Sequence, residues 1–357
     1  MNHRLLTIFL LAFSLNACKQ VAVQTNTTAS EQPIVQPTFI TEPVQHDTDD
    51  PAVWINPNDA SKSLIVGTDK DVDGALYVYD LQGKIQADKV VHGLKRPDNV
   101  DIEYGLVLNK KATDIAVVTE RLTHKLRIYS LPEMKAVDNG GIEVFENEIG
   151  AEFRDLMGIS LYKNKAGKIY AIVGRKSGPT DGSYLWQYLL EDNGAGQVKA
   201  TLVRKFGAYS GKKEIESIAV DDELGYVYYS DEGVGVRKYY AEPTNGNQEL
   251  ALFATTGFTE DHEGISIYQT SPTTGYILVS DQGANQFHIF SREGTAQNKN
   301  DHQLLKVVKV KANKSDGSET VAVPLNNTFK KGLFIAMSDD RTFHFYKWED
   351  IAGKELK

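Results

Sequence analysis

Acidic side chains in this 357-residue chain recur at matching places, and their spacing points to a shared task. Six short apolar stretches carry them: Asp50-Pro51-Ala52-Val53-Trp54, Asn99-Val100-Asp101-Ile102-Glu103, Met157-Gly158-Ile159-Ser160-Leu161, Glu216-Ser217-Ile218-Ala219-Val220, Glu263-Gly264-Ile265-Ser266-Ile267 and Glu319-Thr320-Val321-Ala322-Val323. Around their starts lie Asp47, Asp49, Asp98, Asp155, Glu214, Asp261 and Asp316. Asp69, Asp231, Glu232, Asp281 and Asp339 end the stretches that follow. Carboxylates gathered in one place repel one another unless cations stand between them. A hard, all-oxygen donor set of irregular geometry suits Ca²⁺, which accepts about six to eight oxygens. Soft-metal sites are not indicated, because Cys18 is the only cysteine and the histidines are scattered. Taken singly, each acid could be an ordinary turn former. Recurrence in six units marks the set. Lys70, Arg121, Arg175 and Lys176 interrupt the acids at the ends of the second stretches. Such cations would face a phosphorylated anion, and arginine can grip two phosphate oxygens at once.

The elements that must position these side chains are short strands. Successive acidic starts are roughly 47 to 59 residues apart, the period of propeller blades. A second apolar stretch follows each start: Leu64 to Asp69, Ile115 to Glu120, Ile169 to Arg175, Val227 to Asp231, Ile277 to Asp281 and Leu333 to Asp339. Aromatic third stretches alternate with period two, as in Leu76-Tyr77-Val78-Tyr79, Phe287-His288-Ile289-Phe290 and Phe343-His344-Phe345-Tyr346. The expected fold is all-β, a six-bladed β-propeller, in which first strands line a central channel. A β-sandwich is the runner-up, but it gives no reason for six matching units.

Composition agrees with a large folded body: 41% hydrophobic residues, 24% charged, with 29 glycines and 17 tyrosines. The net charge of −9 and the lack of a basic block argue against nucleic acid as a partner. His3, Arg4 and the apolar run Leu5 to Leu15 read as an export signal over residues 1–17. Leu15-Asn16-Ala17-Cys18 resembles a bacterial lipobox, which makes Cys18 the expected lipidation site and the cell envelope the expected location. Residues 18–45, rich in Thr, Gln, Pro and Val, read as a flexible tether whose last few residues could add an edge strand. The propeller is expected over 46–357, as a monomer.

From Asp47 to Trp348 the chain resembles the bacterial β-propeller phytases, Ca²⁺-dependent phosphatases acting on inositol hexakisphosphate. The resemblance rests on Asp49-Asp50-Pro51-Ala52-Val53-Trp54, Asn99-Val100-Asp101-Ile102, Glu216-Ser217-Ile218-Ala219-Val220-Asp221-Asp222-Glu223, Asp261-His262-Glu263-Gly264, Asp316-Gly317 and Gly332-Leu333-Phe334. It implies calcium ligands at Asp50, Glu216, Glu232, Asp261, Glu263, Gln282 and Asp316, with several ions bound. Asp49 would stand beside the metals at the reacting phosphate, and Lys70, Arg121 and Lys176 would hold phosphate. Asn99, Asp101 and Arg175 complete the expected substrate contacts, and Asp101 is counted among the metal ligands too. With Asp49, Lys70, Arg121 and Lys176, Glu216 completes the expected catalytic set.

Three positions depart from the family pattern: Met157 stands for a phosphate-holding tyrosine, Asp71 for a lysine and Asp98 for an asparagine. The metal side is better preserved than the phosphate side, which implies phosphatase activity more firmly than a strict preference for phytate. Two other readings stay open: a calcium-stabilised propeller that only binds, and another metal-dependent hydrolase such as a lactonase. The latter should tolerate loss of Lys70, Arg121 and Lys176.

Overall fold

A computed structural model of the protein describes residues 33–259 and 261–357. The export signal, Cys18 and residues 18–32 lie outside the described residues. Among the described residues six antiparallel sheets are formed, five of four strands and one of five. Each sheet is a blade. Among the described residues the one α-helix is the five-residue Trp348–Ala352.

The innermost strands are Thr48–Trp54, Pro97–Leu108, Leu156–Lys163, Ile218–Asp221, His262–Gln269 and Ser318–Val321, as the acidic starts anticipated. Residues from all six line one axial cavity of about 120 Å³, so the blades are arranged around a channel. Outer strands alternate apolar residues toward both neighbouring blades. The result is six apolar clusters, each spanning two consecutive blades and the last joining blades six and one. Trp186 fills the cluster between blades two and three, and Trp348 stacks on Tyr268 between blades five and six. Each fully buried side chain of this size contributes about 1.5–3 kcal/mol, so blade faces rather than cross-links hold the ring.

Ring closure corrects the expected tether boundary. Phe39–Ile40 forms the fourth strand of the last blade, pairing Phe39 with Phe345 and Ile40 with His344. Thr38 N–H donates to Phe345 O at 2.7 Å, and Val44 N–H to Arg341 O at 3.0 Å. Val44 is buried, and Phe39 packs edge-on against Phe329. The compact unit therefore begins at Pro33, and residues 33–45 belong to the propeller.

One local irregularity aims the site. In four blades the inner strand spends three residues where its partner spends two: Thr48 to Pro51 against Asp69 to Gly67, Pro97 to Val100, Leu156 to Ile159, and His262 to Ile265. These are β-bulges, which re-aim a side chain and bend the strand. They fall on Asp49-Asp50, Asp98-Asn99, Met157-Gly158 and Glu263-Gly264. Two bulges are held by a hydroxyl on the second strand: Asp50 N–H donates to Thr68 Oγ1 at 2.9 Å and Asn99 N–H to Thr119 Oγ1 at 3.1 Å.

Candidate active site

The six blades present equivalent positions around one mouth of the channel. After each second strand the next residue donates its N–H to a carbonyl just before the blade's inner strand. The pairs are Lys70–Asp47, Arg121–Arg96, Lys176–Asp155, Glu232–Glu214, Gln282–Asp261 and Asp339–Asn313. Lys70, Arg121, Lys176, Glu232 and Gln282 therefore share one structural position, three cations followed by an acid and an amide. Two residues beyond the carbonyl stand Asp49, Asp98, Met157, Glu216, Glu263 and Ser315.

Glycine lets neighbouring blades meet here. Gly264 N–H donates to Asp316 O, and Gly317 N–H donates to Asp49 O at 3.0 Å. A Cβ on Gly317 would lie 2.4 Å from Asp50 Oδ1 and 2.5 Å from Asp49 O. A side chain at Gly317 would therefore push Asp49-Asp50 out of the mouth.

On the acidic side, Glu216, Glu232 and Glu263 each offer an oxygen within 4.8 Å of the others. Glu216 Oε1, Glu232 Oε1 and Glu263 Oε2 are buried and have no hydrogen-bond partner among the described residues. Burial, reinforced by Asp49, pushes the Glu216 carboxyl well up. Burial and then Glu216 do the same for Glu263, and burial with Glu214 and Asp261 pushes Glu232 up to about 8. Three carboxylates this close cannot all be ionised without a cation between them. The donors are all hard oxygens; Asp316 and Asp261 stand close enough to raise the Glu263 carboxyl further, and the Gln282 amide donates to Asp316. These residues fit Ca²⁺.

Lys70 joins the acidic and basic sides. It pairs with Asp49 and lies 3.4 Å from Asp316, whose other oxygen accepts from Gln282 Nε2. Burial alone would lower the Lys70 pKa, but Asp49, Glu216 and Asp316 outweigh it and raise the pKa, keeping the ammonium charged. Burial and Asp49, against the opposing pull of Lys70, push Asp316 up to about 6. Asp49 Oδ2 is buried and unpartnered among the described residues. Asp50 is less free: its Oδ2 accepts from Val100 N–H at 3.1 Å.

On the basic side, Lys176 is half exposed and pairs with Glu214 at 3.1 Å. Arg121 is buried; its Nε–H donates to Leu156 O at 3.0 Å, and its Nη2 sits 2.9 Å from Asp98 Oδ1 and against Met157 Sδ. Burial, opposed by Arg121, pushes Asp98 up to about 7. Asn99 lines the channel with its Oδ1 buried and unpartnered.

Several expected site residues are placed differently. Arg175, expected among the substrate contacts, is turned into the body of the blade. It stands one residue before Lys176, at the register of Asp69, Glu120, Asp231 and Asp281, and a one-residue step turns the side chain to the opposite face. Its guanidinium is fully buried over the Phe145 ring, donates to Phe153 O at 3.0 Å and pairs with Glu148 at 3.0 Å. Asp69, Asp231 and Asp281 likewise face away from the mouth and take loop N–H groups from His46 and Asp47, Ser210 and Thr259. Asp101 lies further along the channel, and its oxygens are filled by Ser160 Oγ, Leu161 N–H and Ile102 N–H, tying blade two to blade three. It has no part in the mouth cluster. The convergence is thus smaller than the full acidic set. Two mouth residues escaped the sequence reading: Lys213, which pairs with Asp261, and Arg96, 3.8 Å from Asp98. Lys213 lies off the repeat, whereas Arg96 stands where other blades carry Asp47, Asp155, Glu214 and Asp261, a place read in the sequence for acids alone.

A six-bladed propeller whose axial mouth sets a bare carboxylate cluster beside buried cations belongs, with the relatives below, to the phosphoric monoester hydrolases. The chain is a member of the Phytase family, whose profile matches residues 3–353. It is 29% identical over 322 residues to a 3-phytase of Bacillus subtilis (strain 168), covering 85% of this chain and 80% of that protein. Among solved structures it is similar to hydrazine synthase of Kuenenia stuttgartiensis, at 11% identity and a TM-score of 0.47, over 83% of this chain and 82% of the other. That last likeness carries no functional weight.

Proposed function

We propose that the protein is a calcium-dependent phosphomonoesterase that hydrolyses phytate, myo-inositol hexakisphosphate, to lower inositol phosphates and inorganic phosphate. The observation that carries this reading is the triad Glu216, Glu232 and Glu263, with three unpartnered buried oxygens, next to Lys70. The family membership and the 3-phytase relative support the same substrate class. Glu216, Glu232 and Glu263, with Asp50, Asp261, Asp316 and Gln282 around them, would hold the calcium ions. Bound there, calcium supplies charge neutralisation for the phosphate and lowers the pKa of a coordinated water.

The chain's own residues do the rest. Lys70, kept charged by its acidic neighbours, offers its ammonium to non-bridging phosphate oxygens. Lys176 is exposed enough to leave Glu214 for a phosphate, and Arg121 has Nη1 to offer. Asp49 Oδ2, without a partner among the described residues, would accept a proton from an attacking water. No covalent intermediate is required.

The test is phosphate release from phytate by the full chain, with calcium and with excess chelator. Calcium-dependent release that falls about a hundredfold or more in Glu216→Ala and in Lys70→Met supports the reading. Calcium-dependent folding without release from phytate or simpler esters leaves a binding propeller as the better account. Export and lipid anchoring at Cys18, to the outer membrane where the host has one, belong to the same proposal, as does a monomeric state. Radiolabelled palmitate should enter the wild-type chain and not Cys18→Ser; equal labelling of both would end the anchor assignment.

A further inference from the structure

The ion pair on the basic side restricts what the mouth can hold. Asp98 is fully buried, and its Oδ1 meets Arg121 Nη2 at 2.9 Å with Arg96 Nε at 3.8 Å from the same oxygen. Arg121 Nε–H is given to Leu156 O, and Nη2 is shared between Asp98 and Met157 Sδ. One fork edge of the guanidinium, Nε with Nη2, is therefore occupied, and the other keeps only Nη1 uncommitted among the described residues. Paired N–H groups are what let arginine hold phosphate in two places. A carboxylate at Asp98 takes the place of that phosphate edge and cancels the charge behind it.

We propose that Asp98 is a specificity-determining residue, an internal anion on Arg121 that lowers the preference of the site for phytate relative to esters carrying fewer phosphates. This deepens the phosphatase reading above and rests on it. The physical reason is charge number. The Asp98 carboxylate, when ionised, repels every phosphate of a polyanion but only one phosphate of a simple monoester. Asp98 is thus a positioning and discriminating residue that need not touch the reacting atoms.

The experiment compares the wild-type full chain with Asp98→Asn and Asp98→Glu in calcium, on phytate and on p-nitrophenyl phosphate. Asp98→Asn keeps an oxygen for Arg121 but removes the charge. It should raise the phytate to monoester ratio of kcat/KM on the order of tenfold, mainly through a lower KM for phytate. Asp98→Glu should hold that ratio near the wild-type value. An unchanged or lower ratio in a folded Asp98→Asn overturns the assignment; if that variant fails to fold, Asp98→Ser serves the same comparison. Calorimetric titration with phytate separates the two layers. Wild-type chain that releases phosphate from neither ester ends the phosphatase reading. Tighter phytate binding by Asp98→Asn then still supports the role of Asp98, and equal binding overturns it.

Discussion

Arg175 and Lys176 are adjacent, yet one is a buried brace and the other a half-exposed cation at the mouth. Arg175 packs over Phe145 and between Tyr184 and Trp186, and it ties Phe153 O and Glu148 to the blade. Arg175→Met leaves the part-buried carbonyl of Phe153 without its donor and removes the cation over the rings, so it is expected to cost roughly 1–3 kcal/mol. Urea melts should show the loss, while KM of the folded fraction stays at the wild-type value. A raised KM with unchanged stability would return Arg175 to the substrate site. The sequence placed both residues at a strand end correctly. It could not separate them, because face depends on the pairing register, and the register is shifted by the bulge at Met157-Gly158.

At the scale of the element, closure of the ring depends on two residues near the end of a polar stretch, where the sequence leaves room for an added edge strand but does not say which blade it joins. Phe39–Ile40 supplies an outer strand to a blade whose other strands begin nearly three hundred residues later. A chain starting at residue 46 would lose the backbone bonds of Val35, Thr38, Thr41 and Val44, and the Thr41 Oγ1 acceptor for Phe343 N–H. At about 0.5–1.5 kcal/mol net for each bond, plus the buried Val44 and the partly buried Phe39, the loss should exceed about 3 kcal/mol. Differential scanning calorimetry of chains starting at residues 33 and 46 checks this, and equal melting temperatures would contradict it. The inner and second strands, by contrast, were legible to within a few residues. Their alternation and their turns are local properties of the chain.

For the whole molecule, the mouth makes stability depend on pH and calcium together. Glu232 has an ordinary value of 4.5 and is pushed by burial to about 8 in the folded chain, and burial likewise moves Glu319 from 4.5 to about 8. Between those values the folded chain binds more protons than the unfolded chain. In chelator, stability should therefore be highest near pH 4.5 and fall as pH climbs through 8. Calcium at the mouth relieves the repulsion around Glu216, Glu232 and Glu263, so the fall should flatten when it is added. Thermal melts across pH 5 to about 8.5, with calcium and with chelator, read this directly. Parallel curves in the two conditions would remove the mouth carboxylates as the cation site.

The sequence by itself determined the architecture and the chemistry on offer: six strand sets, acids where inner strands begin and cations where second strands end. Those are repeating local patterns, visible because each blade solves the same packing problem with the same alternation. Only the tertiary structure decided which of these groups meet. It drew Glu216, Glu232 and Glu263 together from two blades, turned Arg175, Asp69, Asp231 and Asp281 into the body, and set Asp98 on Arg121. The reason is geometric. A side chain's face is set by register and bulge, and its neighbour across the channel is set by how far the ring has turned, so neither is a property of any short stretch of chain.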